Sequence, residues 1–231
     1  RAVNKAMQAQ LNQSQSPLGV QDYQAYEFKS TPYSVRIAIS EIAASVSAEL
    51  RTLARIGESE STVESEVVVS SRKRPVYRVR IKIPADLQLE KVSAAQLSDW
   101  SIVEDNEQRV LNVYFTSGQE GRFAVSLQGR LSDHLVNQEL PLPKLEVLDV
   151  NQQRGVIVIQ VDPSLGARLL NLEKCSTVLL NQAASWLTAK QRPLARLAVQ
   201  YQGTGYSGAV AISPRTSRIT CDTVSNVRLT Y

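Results

Sequence analysis

The sequence predicts an all-β fold, in which antiparallel strands form sandwich-like sheets after a short N-terminal helix. Three observations lead to this prediction. Apolar residues recur at every second position in most stretches from Val35 to Val161, the period of a strand with one buried face. Short polar segments separate these stretches as turns do. Hydrophobic residues make up 43% of the 231 residues, which is enough to bury a core and excludes a disordered chain.

The N-terminal region has a different period from the rest. Val3, Met7 and Leu11 recur at every fourth position, which predicts a helix that gives way to a polar linker. We therefore divide the chain into a helix and linker at residues 1–22, a β-sandwich-like domain at 23–136, and a second β unit at 137–231. We expect the second unit to continue into a following repeat.

Alternating stretches predict successive strands. Tyr77, Val79, Ile81 and Ile83 alternate with basic residues, so one face is apolar and the other is charged. The segment 117–121 is polar and contains two glycines, which predicts a turn. The other alternating stretches lie at 35–39, 111–115, 123–127, 145–150 and 156–161.

Two stretches also have helical features. Residues 41–56 are rich in helix formers and stand between Ser40 and Gly57, yet they alternate as a strand does. We favour the strand because strands flank it. Residues 179–190 carry apolar residues at helical spacing, which predicts a short helix capping one end of a sheet.

An internal similarity suggests a repeat. Residues 33–40 (YSVRIAIS) align with 206–213 (YSGAVAIS) at an offset of 173, with five of the eight residues identical. The alignment continues without gaps and pairs Val46 with Ile219 and Arg55 with Arg228. The chain would then contain one full unit and the opening strands of the next.

The order of four motifs resembles the repeated β-domains of very large bacterial envelope proteins. These motifs are PYS-V-I-I at Pro32 to Ile39, IKIPADLQLEKV, SDWSIVEDNEQRVLNVYF, and LPLPKLEVLDV. The resemblance covers about residues 23–231. It consists of the order of strand-like segments and includes no catalytic or metal motif. It implies a β-sandwich-like module of an exported protein, located in the cell envelope or outside the cell.

Six basic residues cluster between Arg72 and Lys82. Such a cluster is able to meet phosphate, anionic lipid or acidic polysaccharide. We favour a charge-paired surface instead. If residues 61–70 and 75–84 formed a hairpin, Glu64 would face Arg80 and Glu66 would face Arg78.

Composition leaves little room for catalysis or cofactors. The chain has one His, two Cys and one Met, and it contains no P-loop, dinucleotide fingerprint or metal-ligand spacing. We predict no cofactor and no metal. His134 follows Asp133 in a polar segment without a nucleophile elbow, so we interpret it as a loop residue. Cys175 and Cys221 either form a disulfide or are two separate small residues.

Acidic residues are the other candidates for chemistry. A glycosidase needs two converging carboxyl groups, and the sequence does not reveal their separation. We therefore predict that the chain is not an enzyme. The acids considered are Glu104, Asp105, Glu139, Asp149 and Asp162.

Aromatic residues are sparse, at 6%. A sugar-binding surface needs flat exposed rings. Trp100, Tyr114 and Trp186 are the candidates for ligand contact, although Trp100 alternates with Ile102 as a core residue does.

The sequence thus predicts a non-enzymatic structural or interaction module of the spacer or adhesion type. The alternative is a carbohydrate-binding or glycan-hydrolysing domain. The expected partner is a protein or a glycan surface. A net charge of +4 falls short of the concentrated positive field of a nucleic-acid-binding protein.

Overall fold

The computed structural model describes residues 45–105, 108–132, 139–215 and 228. These residues belong to a unit that spans Ile42–Tyr231. The predicted N-terminal helix at 1–22 lies outside the described residues. None of the described helices is long and apolar enough to cross a membrane.

Strands dominate the described residues, and the predicted all-β, sandwich-like fold is confirmed. One helical turn, α1 (Leu180–Ala183), and one 3-10 turn, Arg192–Leu194, interrupt them. The strands are β1 (Ser45–Ile56), β2 (Ser61–Ile83), β3 (Leu87–Ala94), β4 (Leu97–Asp105), β5 (Gln108–Leu131), β6 (Glu139–Pro141), β7 (Glu146–Val147), β8 (Gln152–Val161), β9 (Leu165–Glu173), β10 (Cys175–Thr177), β11 (Ala195–Gln202) and β12 (Ser207–Pro214).

The strands form a large sheet and a small one. The large sheet has the order β10-β11-β8-β1-β2-β5-β3, with β4 also paired to β5 and β7 paired to β2. The small sheet has the order β6-β12-β9. One described pair departs from the predicted antiparallel pairing, because β1 and β8 run parallel from Ser47↔Gln152 to Ile56↔Val161. A parallel pair needs a long crossover, and the chain from β2 to β7 supplies it.

The parallel pair joins two stretches that the sequence analysis separates. Strand β8 lies between β1, from the predicted domain at 23–136, and β11, from the predicted unit at 137–231. Both stretches therefore contribute neighbouring strands to one sheet.

Strand β1 has the alternation that favours a strand at residues 41–56. Leu53 is buried on the opposite face of β1, against the segment that follows β10. The residues of β1 that enter the main core are Val46, Ala48, Leu50, Ala54 and Ile56, and Thr52 is buried on the same face.

The predicted hairpin of residues 61–70 and 75–84 is wrong. Residues 61–83 form a single strand, and its pairing with β5 is interrupted between Ser71 and Val76 and again before Arg78. Ser71 Oγ donates a hydrogen bond to the Arg74 carbonyl, 2.7 Å away, within this irregularity. The polar run after Ser70 therefore bends the strand instead of reversing it. The register shift also explains why Tyr77 is 61% exposed, although Val79, Ile81 and Ile83 are buried as predicted.

Strand β5 bends as well. Phe115 and Phe123 make an edge-to-face contact with ring centroids 5.4 Å apart. Eight residues of a straight strand would separate them by about 26 Å. The bend falls at the polar segment 117–121, where the sequence predicts a turn.

A second, smaller core lies on the other face of β1, β8 and β11. The segment from Val178 to Leu194 covers this face, and α1 is the helical part of it. The predicted helix at 179–190 is thus reduced to one turn, and it packs on a sheet face rather than at a sheet end. The buried members of this core are Leu53, Val158, Ala183, Ala184, Leu187, Ala195 and Ala198.

Candidate functional site

A groove of about 1060 Å³ lies beside α1, above the outward faces of β1, β8, β10 and β11. A smaller depression of about 280 Å³ shares Glu49, Arg154 and Gln202 with it. The volume of the groove is close to the upper end of the range of small-molecule sites, which is about 300–1,000 Å³.

Glu49 and two arginines form one wall of the groove. The parallel register sets Glu49 opposite Arg154, and Arg154 Nη2 donates to Glu49 Oε2 at 2.9 Å. Arg51 Nη2 donates to Glu49 Oε1 at 3.1 Å, and its Nη1 donates to Glu66 Oε2 at 3.3 Å. The hydrogen bond from Arg154, followed by that from Arg51, holds the pKa of Glu49 below its ordinary value against the opposing effect of burial. The carboxylate is therefore ionised and has a cation on each oxygen.

Trp186 also lines the groove and packs, half-buried, against the second core. Arg192 fixes this segment by donating from Nε to the Leu187 carbonyl at 2.9 Å and from Nη2 to the Ser185 carbonyl at 2.7 Å. Within the described part of the chain, Trp186 Nε1 is the buried side-chain polar atom without a hydrogen-bond partner. The buried indole N–H is therefore not accessible to a ligand in the groove.

Tyr201 also lines the groove, but its side chain is buried in the main core on the other face of the sheet. Its ring stacks on Tyr206 with centroids 3.8 Å apart, and Tyr206 Oη donates to the Pro143 carbonyl at 3.0 Å. Gly155 permits this packing, because a Cβ there would overlap the Tyr201 ring. Burial raises the pKa of Tyr206 to about 12 and that of Tyr201 further still, so both phenols stay neutral.

The three aromatic candidates lie in different places. Trp186 lines the groove, Trp100 packs against the main core, and Tyr114 is 37% exposed on β5 opposite Arg78. The structure therefore does not bring Trp100, Tyr114 and Trp186 into one row.

The acidic partners predicted for the basic cluster are wrong, because β2 is not a hairpin. Arg55 forms a two-bond pair with Glu64, at 2.6 and 3.1 Å, while Glu66 pairs with Arg51. Arg80 instead binds Asp149, at 2.8 and 2.7 Å, and this hydrogen bond lowers the pKa of Asp149.

Some of the residues considered for catalysis lie outside the described part of the chain. His134, Cys221 and the side chain of Asp105 lie outside it. Among the described residues, no three His, Cys, Asp or Glu side chains are grouped as metal ligands. Cys175 carries a free thiol, which contacts the Ser207 carbonyl at 3.2 Å.

Of the remaining acids, Glu104 approaches Arg109 at 4.0 Å. Asp162 Oδ1 accepts hydrogen bonds from the Ser164 hydroxyl and amide, which lower its pKa. Glu139 lies in β6 of the small sheet.

No protein-family model matches the chain, and the search of curated proteins finds no match. Among solved structures, an M1 zinc metallopeptidase from Deinococcus radiodurans is similar over 74% of this chain and 42% of its own, at 10% identity and a TM-score of 0.40. This chain spans less than half the length of that structure. A non-cellulosomal cohesin from the archaeon Archaeoglobus fulgidus is similar over 48% of this chain and 91% of its own, at 14% identity and a TM-score of 0.30. At these scores neither likeness carries a function to this chain.

Proposed function

We propose that this chain is a non-enzymatic structural and interaction module, one unit of a tandem array in a larger exported protein. Its role is mechanical and geometric. The sheets form a stiff spacer, and the surfaces between strands and loops contact a protein or glycan partner. The resemblance to repeated envelope-protein domains supports the exported location, at the cell envelope or outside the cell.

The observation that carries this proposal is the internal similarity, in which residues 33–40 recur as residues 206–213 at an offset of 173. The second occurrence lies almost entirely in β12, Ser207–Pro214. The recurring segment is therefore a strand where the structure describes it, as a repeated structural unit would supply.

The pattern of burial supports the same proposal. Tyr206, Val210 and Ile212 are buried, and Tyr, Ile and Ile stand at the same positions one period earlier. One period after β1, the sequence has Asp222 at the position of Glu49 and Arg228 at the position of Arg55. Sequence similarity that follows the inward and outward positions of a strand is the similarity expected of a structural repeat.

Single-molecule stretching of the native parent polypeptide tests the proposal. An array of such units should unfold in recurrent steps, each releasing about 600 Å of extended chain less the folded length, at 3.3–3.6 Å per residue. A parent chain that gives one such step and no recurrence would contradict the array. As a second check, the coding sequence on both sides of this segment should repeat with the same 173-residue period.

A second candidate function is carbohydrate binding, and the groove is the observation that favours it. Sugar sites combine an aromatic surface with hydrogen-bonding side chains. Trp186 supplies the aromatic surface, while Gln182, Gln200 and Gln202 line the same groove. A glycan-binding spacer would satisfy both proposals.

A further inference from the structure

We propose that the groove beside α1 binds an acidic oligosaccharide, with a sugar carboxylate on Arg154 and Lys174 and a sugar ring on Trp186. The inference deepens the second candidate function and rests on it. It does not depend on the tandem array.

The charge of the groove selects an anion. Arg51, Arg154 and Lys174 line it, and Glu49 is the one acid among its described lining residues. Glu49 is already bonded to both arginines, so an excess of positive charge remains for a ligand. The Arg154 side chain is 73% exposed and uses Nη2 alone in its bond to Glu49. The rest of its planar guanidinium is available to a carboxylate.

Lys174 is the third cation that lines the groove. It precedes β10, is exposed, and has a left-handed backbone with a φ of 51°. Its ammonium lies close over Gly205, where an added Cβ would be 3.2 Å from Nζ. A compact ammonium of this kind meets a carboxylate as a point charge.

The uncharged lining favours a sugar over a peptide. An acidic peptide could also pair with the arginines of the groove, so poly-glutamate is one of the probes in the test below. Exposed amide side chains match pairs of hydroxyl groups, and the half-buried Trp186 contributes an aromatic residue to the lining. The adjoining depression on the far side of Arg154 gives a chain of sugars room to continue.

The test uses the full chain and a short linear oligogalacturonate. Trp100 and Trp186 are the two tryptophans in the sequence, so Trp100→Phe leaves Trp186 as the single reporter in the groove. Calorimetry and Trp186 fluorescence are recorded with the oligogalacturonate, with the same oligosaccharide after reduction of its carboxylates to alcohols, and with a poly-glutamate peptide.

Two variants test the contacts. Arg154→Gln and Lys174→Gln should each weaken binding of the oligogalacturonate about fivefold to tenfold, because each removes a charge-assisted contact. Arg168→Gln is the matched control, since Arg168 is an exposed arginine of β9 in the small sheet, and it should leave the affinity unchanged. Thermal unfolding of each variant confirms that the fold is retained.

The outcomes are distinct. Binding of the acid form over the reduced form, lost in the two groove variants and kept in the control, supports the inference. Equal binding of both forms would overturn the charge selection while leaving carbohydrate binding in place. Equal binding of poly-glutamate would overturn the assignment to a glycan. Absence of binding to all three probes would overturn both the inference and the second candidate function, and the stretching experiment on the array would be unaffected.

Discussion

Arg55 and Glu64 show how individual charges are placed in this molecule. They lie on neighbouring strands, and their side chains are 37% and 36% exposed. Arg55 also donates from Nε to Gln160 Oε1 at 3.1 Å, which ties β8 to the same pair. Exposure limits the energy of such a pair, whereas its two-bond geometry makes it better than an average surface pair.

We predict measurable coupling between Arg55 and Glu64. A double-mutant cycle with Arg55→Gln and Glu64→Gln should give a coupling free energy of about 0.3–1 kcal/mol in urea unfolding. The same cycle on Glu66 and Arg78 serves as the control and should give none, because Glu66 contacts Arg51. The reverse ranking of the two cycles would restore the hairpin that the sequence predicted.

The ionised Glu49 carboxylate makes the stability of the folded protein depend on pH. Because its folded pKa lies below the unfolded value, its contribution to stability is present above about pH 4.3 and is lost as the pH falls through the folded pKa. Arg154→Gln should raise the Glu49 pKa in a carboxyl NMR titration. It should also destabilise the protein at neutral pH and have a smaller effect at low pH. A destabilisation that is constant across this range would show that Arg154 acts through packing and not through charge.

At the scale of elements, local sequence patterns predicted the positions of the strands well, but they did not predict which strands pair with each other. The alternation in β1 identifies both of its faces, since burial of one face has a period of two. The parallel register that sets Glu49 beside Arg154 joins residues 105 positions apart, and no local pattern contains it. Trp186 could be singled out because aromatic residues are rare here. Arg51, Arg154 and Lys174 looked like ordinary surface charges.

The error at β2 has a physical cause. Residues 70–75 (SSRKRP) are polar and end in proline, as many turns do. A bulge needs similar residues, because it also interrupts the hydrogen bonds between strands. A turn and a bulge differ in how the partner strand pairs. Here β5 pairs with β2 on both sides of the irregularity, and this long-range pairing cannot be predicted from the sequence of β2 alone.

Gln153 connects two elements and carries a prediction at that scale. Its buried side chain accepts from the Val147 amide at 2.7 Å and donates to the Leu145 carbonyl at 2.9 Å, which joins β7 to β8. Gln153→Ala should destabilise the protein by about 2–4 kcal/mol, because two buried backbone groups lose their partners. Gln152→Ala, at an exposed neighbour, is the control for urea unfolding and should have little effect. Similar losses in both variants would contradict a bridging role for Gln153.

At the scale of the whole molecule, ion pairs tie the charged surface of the large sheet together. Ion pairs link β8, β1 and β2 through the successive residues Arg154, Glu49, Arg51 and Glu66. Each contact is weak alone, and together they fix side chains across three strands without adding a large net charge. Such a surface suits the proposed spacer, and Arg154 is the arginine whose exposed guanidinium would meet the proposed anionic ligand.

The last prediction is that the whole chain binds without hydrolysing. Cleavage of a glycoside needs one protonated and one ionised carboxyl group at the working pH. Glu49, the acid of the groove, has a lowered pKa and a bonded arginine on each oxygen, so it cannot supply the proton at neutral pH. Purified protein incubated with ester, peptide and oligogalacturonate substrates should leave them intact. His134→Ala and Glu49→Gln provide the control, and turnover that either variant abolishes would identify that residue as catalytic and end the non-enzymatic proposal.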